Sequence, residues 1–77
     1  MAKNILIYEQ ASKQAIHIVA SEEIIDVCLK MDKQQILHDD RPRSFTYLLK
    51  TDQLAKGNYQ LEVKTKSMKN TRFFEIK

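Results

Sequence analysis

The sequence predicts an all-β fold, an antiparallel sandwich or barrel of seven short strands forming one domain over residues 1–77. Two observations carry the prediction. Apolar and polar residues alternate with the period of two that puts one strand face in a core and the other in water. The alternating runs recur about every ten residues with turn-forming residues between them, the rhythm of sandwiches and small barrels. The single glycine, Gly57, stands where a connection enters the clearest alternating run, Tyr59, Leu61 and Val63 against Gln60, Glu62 and Lys64.

In chain order, Asn4 to Glu9 is an apolar run (Ile5, Leu6, Ile7, Tyr8), and Ala15 to Ala20 sets Ile16 and Ile18 against His17 and Val19. From Ile24 to Met31, Ile25, Val27, Leu29 and Met31 share a face opposite Asp26, Cys28 and Lys30. Asp32-Lys33 turns this strand into Gln35-Ile36-Leu37, with the type I geometry that Asp-Lys tolerates. His38-Asp39-Asp40-Arg41-Pro42-Arg43 reads as a polar, solvated loop, and Ser44 to Lys50 as a strand with Phe45, Tyr47 and Leu49 inward. Tyr59 to Lys66 and Thr71 to Lys77 make a last hairpin around Ser67-Met68-Lys69-Asn70, with Phe74 and Ile76 facing the core. Residues 21–31 admit a second reading. Ser21 can cap a helix whose stripe is Ile24, Val27, Cys28 and Met31. Leu29 falls off that stripe and three β-branched residues crowd the segment, which favours the strand.

Composition narrows the classes. A chain of 77 residues buries only roughly 60–65% of its unfolded surface, too little for a deep catalytic cleft. One cysteine, Cys28, leaves no internal disulfide and no four-cysteine zinc site, and reads as a core hydrophobe. It leaves both an oxidising and a reducing compartment open. No apolar run approaches the roughly 18 residues of a membrane span. Met1-Ala2-Lys3-Asn4 does not open a signal peptide, so on an exported reading the signal lies outside this sequence. One glycine makes no phosphate loop, and His-Glu-x-x-His and nucleophile-elbow motifs are missing. No enzyme, metal site or cofactor is therefore expected. His38-Asp39-Asp40 is the one cluster of candidate ligands and lacks the further ligands a site needs. His17 is expected on the solvent side of its strand, and Ser12, Ser21, Ser44 and Ser67 have no identifiable histidine and acid partners.

Charge is uneven: residues 1–40 carry four Lys/Arg and seven Asp/Glu, residues 41–77 nine and three. Lys64, Lys66, Lys69 and Arg72 concentrate in the last hairpin as a candidate binding surface, with Phe73 a candidate outward aromatic. Such a surface supports the alternative function, a small basic barrel on which single-stranded nucleic acid stacks. Edge pairing into a dimer is a third route, through a first or last strand left open unless Lys3, Lys13 or Lys77 blunts it. The oligomeric state itself is not legible.

Leu54, Gly57 and Tyr59 form a candidate structural corner. Gly57 takes a positive φ at no steric cost, Leu54 plugs the base of the core, and Tyr59 buries its ring while its hydroxyl reaches a corner backbone group. That arrangement resembles the corner of immunoglobulin-like sandwiches. The longer pattern Leu54-x-x-Gly57-x-Tyr59-x-Leu61-x-Val63, a hairpin, and the terminal Phe73-Phe74-Glu75-Ile76-Lys77 resembles the C-terminal sorting domains of type nine secretion. Ile25-x-Val27-x-Leu29-x-Met31-Asp32-Lys33 matches the middle of that pattern, and Ile7-Tyr8 followed by Ala11 its start. The family's early Tyr-Pro-Asn-Pro is here Tyr8-Glu9-Gln10-Ala11, and Lys33-Gln34 replaces the glycine usual after the central aspartate. The chain is similar to an equal degree to small exported immunoglobulin-like domains of the same bacterial phylum. The resemblance implies a seven-stranded immunoglobulin-like sandwich, exported or at the cell surface. It implies a non-enzymatic module that binds a protein partner or is recognised by secretion machinery, with Gly57, Tyr59 and the terminal strand carrying recognition.

Overall fold

The computed structural model describes residues 4–10, 14–40 and 42–77; Lys3, Ala11, Ser12 and Lys13, invoked above, lie outside them. Among the described residues, six strands form one antiparallel sheet: β1 (Ile5–Gln10), β2 (Ala15–Met31), β3 (Gln34–Asp39), β4 (Ser44–Lys50), β5 (Gly57–Thr65) and β6 (Lys69–Ile76). The fold is all-β, without a helix among the described residues. The expected count of seven falls to six because 15–20 and 24–31 are two halves of one strand, β2.

β2 organises the sheet. Along one edge it pairs first with β1 (Ile7↔Ile18) and then with β5 (Leu29↔Leu61). Along the other it pairs with β4 (Ile18↔Tyr47) and then β3 (Leu29↔Leu37). β6 completes the order on the far side of β5. Register breaks on both edges between Val19 and Asp26, where β2 bends and the sheet curls into a half-barrel.

The helix reading of residues 21–31 fails, and the register explains why it arose. Against β5, Ile24 faces Thr65 and Asp26 faces Lys64, so Ile25 is the extra residue of a β-bulge. A bulge shifts the alternation by one, leaving Ile24 and Val27 both fully buried while Ile25 is half-buried. An i, i+3 pattern of burial thus appears in a strand.

The bend is held by polar contacts. Glu22 Oε1 accepts from Thr65 Oγ1 at 2.5 Å, Ser67 Oγ at 2.6 Å and Ser67 N at 3.3 Å. Thr65, the one buried polar residue among those described, also bonds across its own turn, its N–H donating to Met68 O at 2.9 Å and its hydroxyl accepting from Met68 N at 3.1 Å. Ser21 N donates to Asn4 O at 3.0 Å and Asn4 N to Ser21 Oγ at 2.9 Å, tying the bend to the start of β1.

Inside the curl, Ile18, Ile24, Val27, Leu29, Leu61 and Val63 are fully buried, and Ile5, Ile7, Ile16, Leu49, Tyr59 and Phe74 close around them. Full burial of each large side chain contributes about 1.5–3 kcal/mol. Phe45 departs from expectation: it shares parity with Tyr47 and Leu49 but lies at the start of β4, and stays 53% exposed. His38 and Asp39 are not loop residues but the end of β3, and the last turn spans Lys66–Met68, with Lys69 already in β6.

Asp32 and Lys33 have φ of 50° and 68°, with Met31 and Gln34 paired on either side. Two central residues at positive φ are the mark of a type I′ turn, whose twist suits a hairpin, rather than the type I expected. Lysine is costly there. Lys33→Gly is expected to raise stability by about 0.5–1 kcal/mol, read as a higher urea midpoint with unchanged slope; a lower midpoint would contradict this turn.

Candidate binding surfaces

The corner is built as follows. Gly57 opens β5 at φ 149°, a conformation essentially reserved for glycine, and a Cβ there would run into Met31 Cε. Tyr59, two residues on, is buried, stacks on Phe74 with centroids 5.3 Å apart, and donates its hydroxyl to the Ala55 carbonyl at 2.5 Å. Leu54 packs partly buried against the core, its N–H donating to Thr51 O at 3.1 Å. These three residues meet at one end of the half-barrel. A cleft of about 560 Å³ opens there, floored by Ile16, Leu54, Phe74 and Ile76 and rimmed by Glu9 and Lys56.

The basic residues do not form one surface. Lys64 and Lys69 are cross-strand partners on the outer face, with exposed Lys66 in the adjoining turn. Lys69 is held to Glu62 at 3.4 Å, and Lys30 reaches the same carboxylate at 3.1 Å. The Lys30 hydrogen bond, with help from Lys69, holds the Glu62 carboxyl below its ordinary range despite its partial burial. Asp26 lies opposite Lys64 and bonds His38 Nε2 at 2.5 Å. Arg72 turns the other way: it has core-facing parity opposite Leu61, and its guanidinium donates to Ile7 O at 2.9 Å. Asn70 does the same for Ile5 O at 3.0 Å. β6 therefore closes the curl against β1 with side chains instead of a backbone ladder.

Phe73 is 73% exposed beside Gln60 and Lys33, over a shallow hollow of about 180 Å³. Cys28 is buried on this same outer side, its Sγ donating to Gln35 Oε1 at 3.5 Å, and burial pushes its thiol pKa up. Asp39 accepts from the Tyr47 hydroxyl at 3.3 Å, bridging the ends of β3 and β4; burial and then this carboxylate raise the Tyr47 pKa. No group of three His, Cys, Asp or Glu gathers as a metal site among the described residues, and no helix there is long and apolar enough to cross a membrane.

One surface was not singled out from sequence. On the outside of β1, β2 and β4, register places Tyr8, His17 and Leu48 in one row and Leu6, Val19 and Thr46 in the next. Leu6 is 52%, Tyr8 41% and Leu48 52% exposed. Tyr8 and His17 meet edge to face with centroids 5.2 Å apart, and the Tyr8 hydroxyl lies 3.3 Å from His17 Nδ1. No carboxylate occupies these rows. The signal was present as the unbroken run Ile5-Leu6-Ile7-Tyr8, in which both parities are apolar while one faces water.

No protein-family model matches the chain, and no curated protein matches it.

Two expectations follow. Tyr59→Phe orphans the Ala55 carbonyl and should cost about 1 kcal/mol, while Gly57→Ala should cost about 1–3 kcal/mol; denaturant unfolding measures both, and no change in either would remove the corner. Because the folded-state pKa of Glu62 is depressed, its contribution is complete above the ordinary carboxylate range and is lost as pH falls through the lowered value. Glu62→Gln should therefore flatten the acid limb of the stability profile and leave its neutral-to-alkaline shape unchanged.

Proposed function

We propose that this domain is a non-enzymatic protein-binding module that engages its partner through the outer face of β1, β2 and β4. The observation that carries the reading is the contrast between the two outer faces. Around Glu62 the outside of β2, β5 and β6 is charged and internally paired, as a solvated face is. The outside of β1, β2 and β4 presents Leu6, Tyr8 and Leu48 to water in adjacent rows. Contiguous exposed apolar patches rimmed by polar groups are the usual mark of an interaction site, and Tyr8 is of a residue type enriched among the anchors that carry binding energy.

The resemblance to sorting domains and their exported relatives supports placing the module outside the cytoplasm or at the cell surface, with secretion machinery as one candidate partner. The two halves of β2, each with its own pairing partners, support reading the half-barrel as a seven-stranded immunoglobulin-like sandwich in keeping with that resemblance. The nucleic-acid alternative draws on Phe73 beside Lys33, and on Lys64 and Lys66 toward the other end of the same hairpin. Against it, Glu62 holds Lys30 and Lys69, and Arg72 is committed to the Ile7 carbonyl.

The test is a photo-crosslinking side chain at Tyr8, with the captured protein then titrated against the purified domain. Leu6→Lys should weaken that affinity at least about tenfold, and Lys64→Ala should leave it unchanged. Binding insensitive to Leu6→Lys but lost with Phe73→Ala and Lys64→Ala would overturn the reading. So would tight single-strand binding that falls steeply with salt.

A further inference from the structure

We propose that the protein forms a two-fold symmetric dimer in which β4 of one copy pairs antiparallel with β4 of a second copy. The inference goes beyond the partner-binding reading and does not rest on it.

The first and last strands, where open edges were expected, close on each other: the Ile5 and Ile7 carbonyls that point away from β2 are taken by Asn70 and Arg72 of β6. The edge of β3 carries polar Gln34, Gln35, His38 and Asp39, and is kinked where Ile36 is left out of register with β2. Among the described residues, β4 pairs with β2 alone. Its sequence, Ser44-Phe45-Thr46-Tyr47-Leu48-Leu49-Lys50, has strong β propensity, no proline and no charge before its last residue, so it carries neither the proline nor the mid-strand charge that commonly blunts an edge.

The phase of its free hydrogen-bonding groups is fixed by the structure. Thr51 N donates to Gln14 O at 2.7 Å, so in this ladder Leu49, Tyr47 and Phe45 bond β2, while the amides of Lys50, Leu48 and Thr46 face outward. Thr46 N accordingly finds only its neighbour's hydroxyl, Ser44 Oγ, at 3.2 Å.

A second copy fits this edge by self-complementarity. With Tyr47 on the two-fold axis, all of β4 pairs: Phe45 meets Leu49 of the second copy, Thr46 meets its Leu48, and Ser44 meets its Lys50. Apolar and β-branched side chains face one another and no like charges do. About eight backbone hydrogen bonds form along a strand of roughly 23 Å. The area covered is on the order of 500 Å² per copy, at the low end of specific interfaces, so the dimer forms reversibly at elevated concentration. Two three-stranded halves become one six-stranded sheet, β1-β2-β4 continued by its symmetry mate, as an isologous contact requires.

Sedimentation velocity of the full chain tests this. Mass should rise from one chain to two between about 5 and 500 µM, as mass action demands. Thr46→Pro, which removes an outward amide and no bond to β2, should stay monomeric throughout, while Leu6→Lys, away from the edge, should dimerise within about twofold of the parent. Hydrogen exchange in the unsubstituted protein gives a second reading that needs no variant: the Leu48 amide should slow at least about tenfold from the low to the high concentration. A single-chain mass at the high concentration overturns the proposal, whether or not another protein binds the chain. So does a dimer that Thr46→Pro leaves intact, or a Leu48 amide that exchanges equally fast at both concentrations.

Discussion

A single carboxylate at a core-facing position fixes the shape of this molecule. Ala20, Glu22 and Ile24 alternate toward the interior, yet where an apolar side chain would continue the core, Glu22 instead collects two hydroxyls and an amide from Thr65 and Ser67. Charge-assisted hydrogen bonds of this kind are about twice as strong as neutral ones. Their place matters as much as their strength, because they join the bend of β2 to the turn between β5 and β6. With that link made, the two halves of β2 belong to opposite walls of one core. The Ile25 bulge and the Ser21–Asn4 bonds also bend these seventeen residues, and the Glu22 contacts tie that bend to the far wall.

The bend has consequences at each edge of the sheet. Curling brings β6 beside β1 but not into ladder register, so the gap is bridged by Asn70 and Arg72 reaching exposed carbonyls. This removes Arg72 from the basic surface and satisfies the backbone of β1, where unpaired groups would otherwise be costly. On the opposite edge, β3 and β4 run in succession along β2 and are bridged by the Tyr47–Asp39 bond. That side keeps its outward amides on β4. The two outer faces differ because β1 and the first half of β2 carry hydrophobes on both parities, whereas past the Ile25 bulge Asp26 and Lys30 stand in the outward rows of Lys64 and Gln60.

Much of the architecture was legible because period-two patterning encodes burial directly. The alternation of β5 and the Gly57–Tyr59 corner could be read residue by residue. What could not be read was local irregularity. The bulge at Ile25 shifts parity by one and imitates a helical stripe, and nothing in the side chains announces it. Two expected strands merge into β2 because Ser21-Glu22-Glu23, polar like a connection, continues the extended backbone. Phe45 has the parity of a core residue but sits at a strand end where no opposite wall covers it. His38 and Asp39 look like loop residues by composition and act as strand residues because Asp26 and Tyr47 partner them. Of the candidate surfaces, the lysines were visible as a count, whereas the pairing of Lys69 with Glu62 is a property of cross-strand placement.

The account depends on coupling between Glu22 and Thr65, which a double-mutant cycle measures directly. Unfolding free energies of Glu22→Gln, Thr65→Val and the double variant should show an interaction energy of about 1–3 kcal/mol, with the double variant little worse than the more damaging single one. Additivity to within about 0.5 kcal/mol would mean that the carboxylate and the hydroxyl act independently, and that something other than this contact sets the bend of β2.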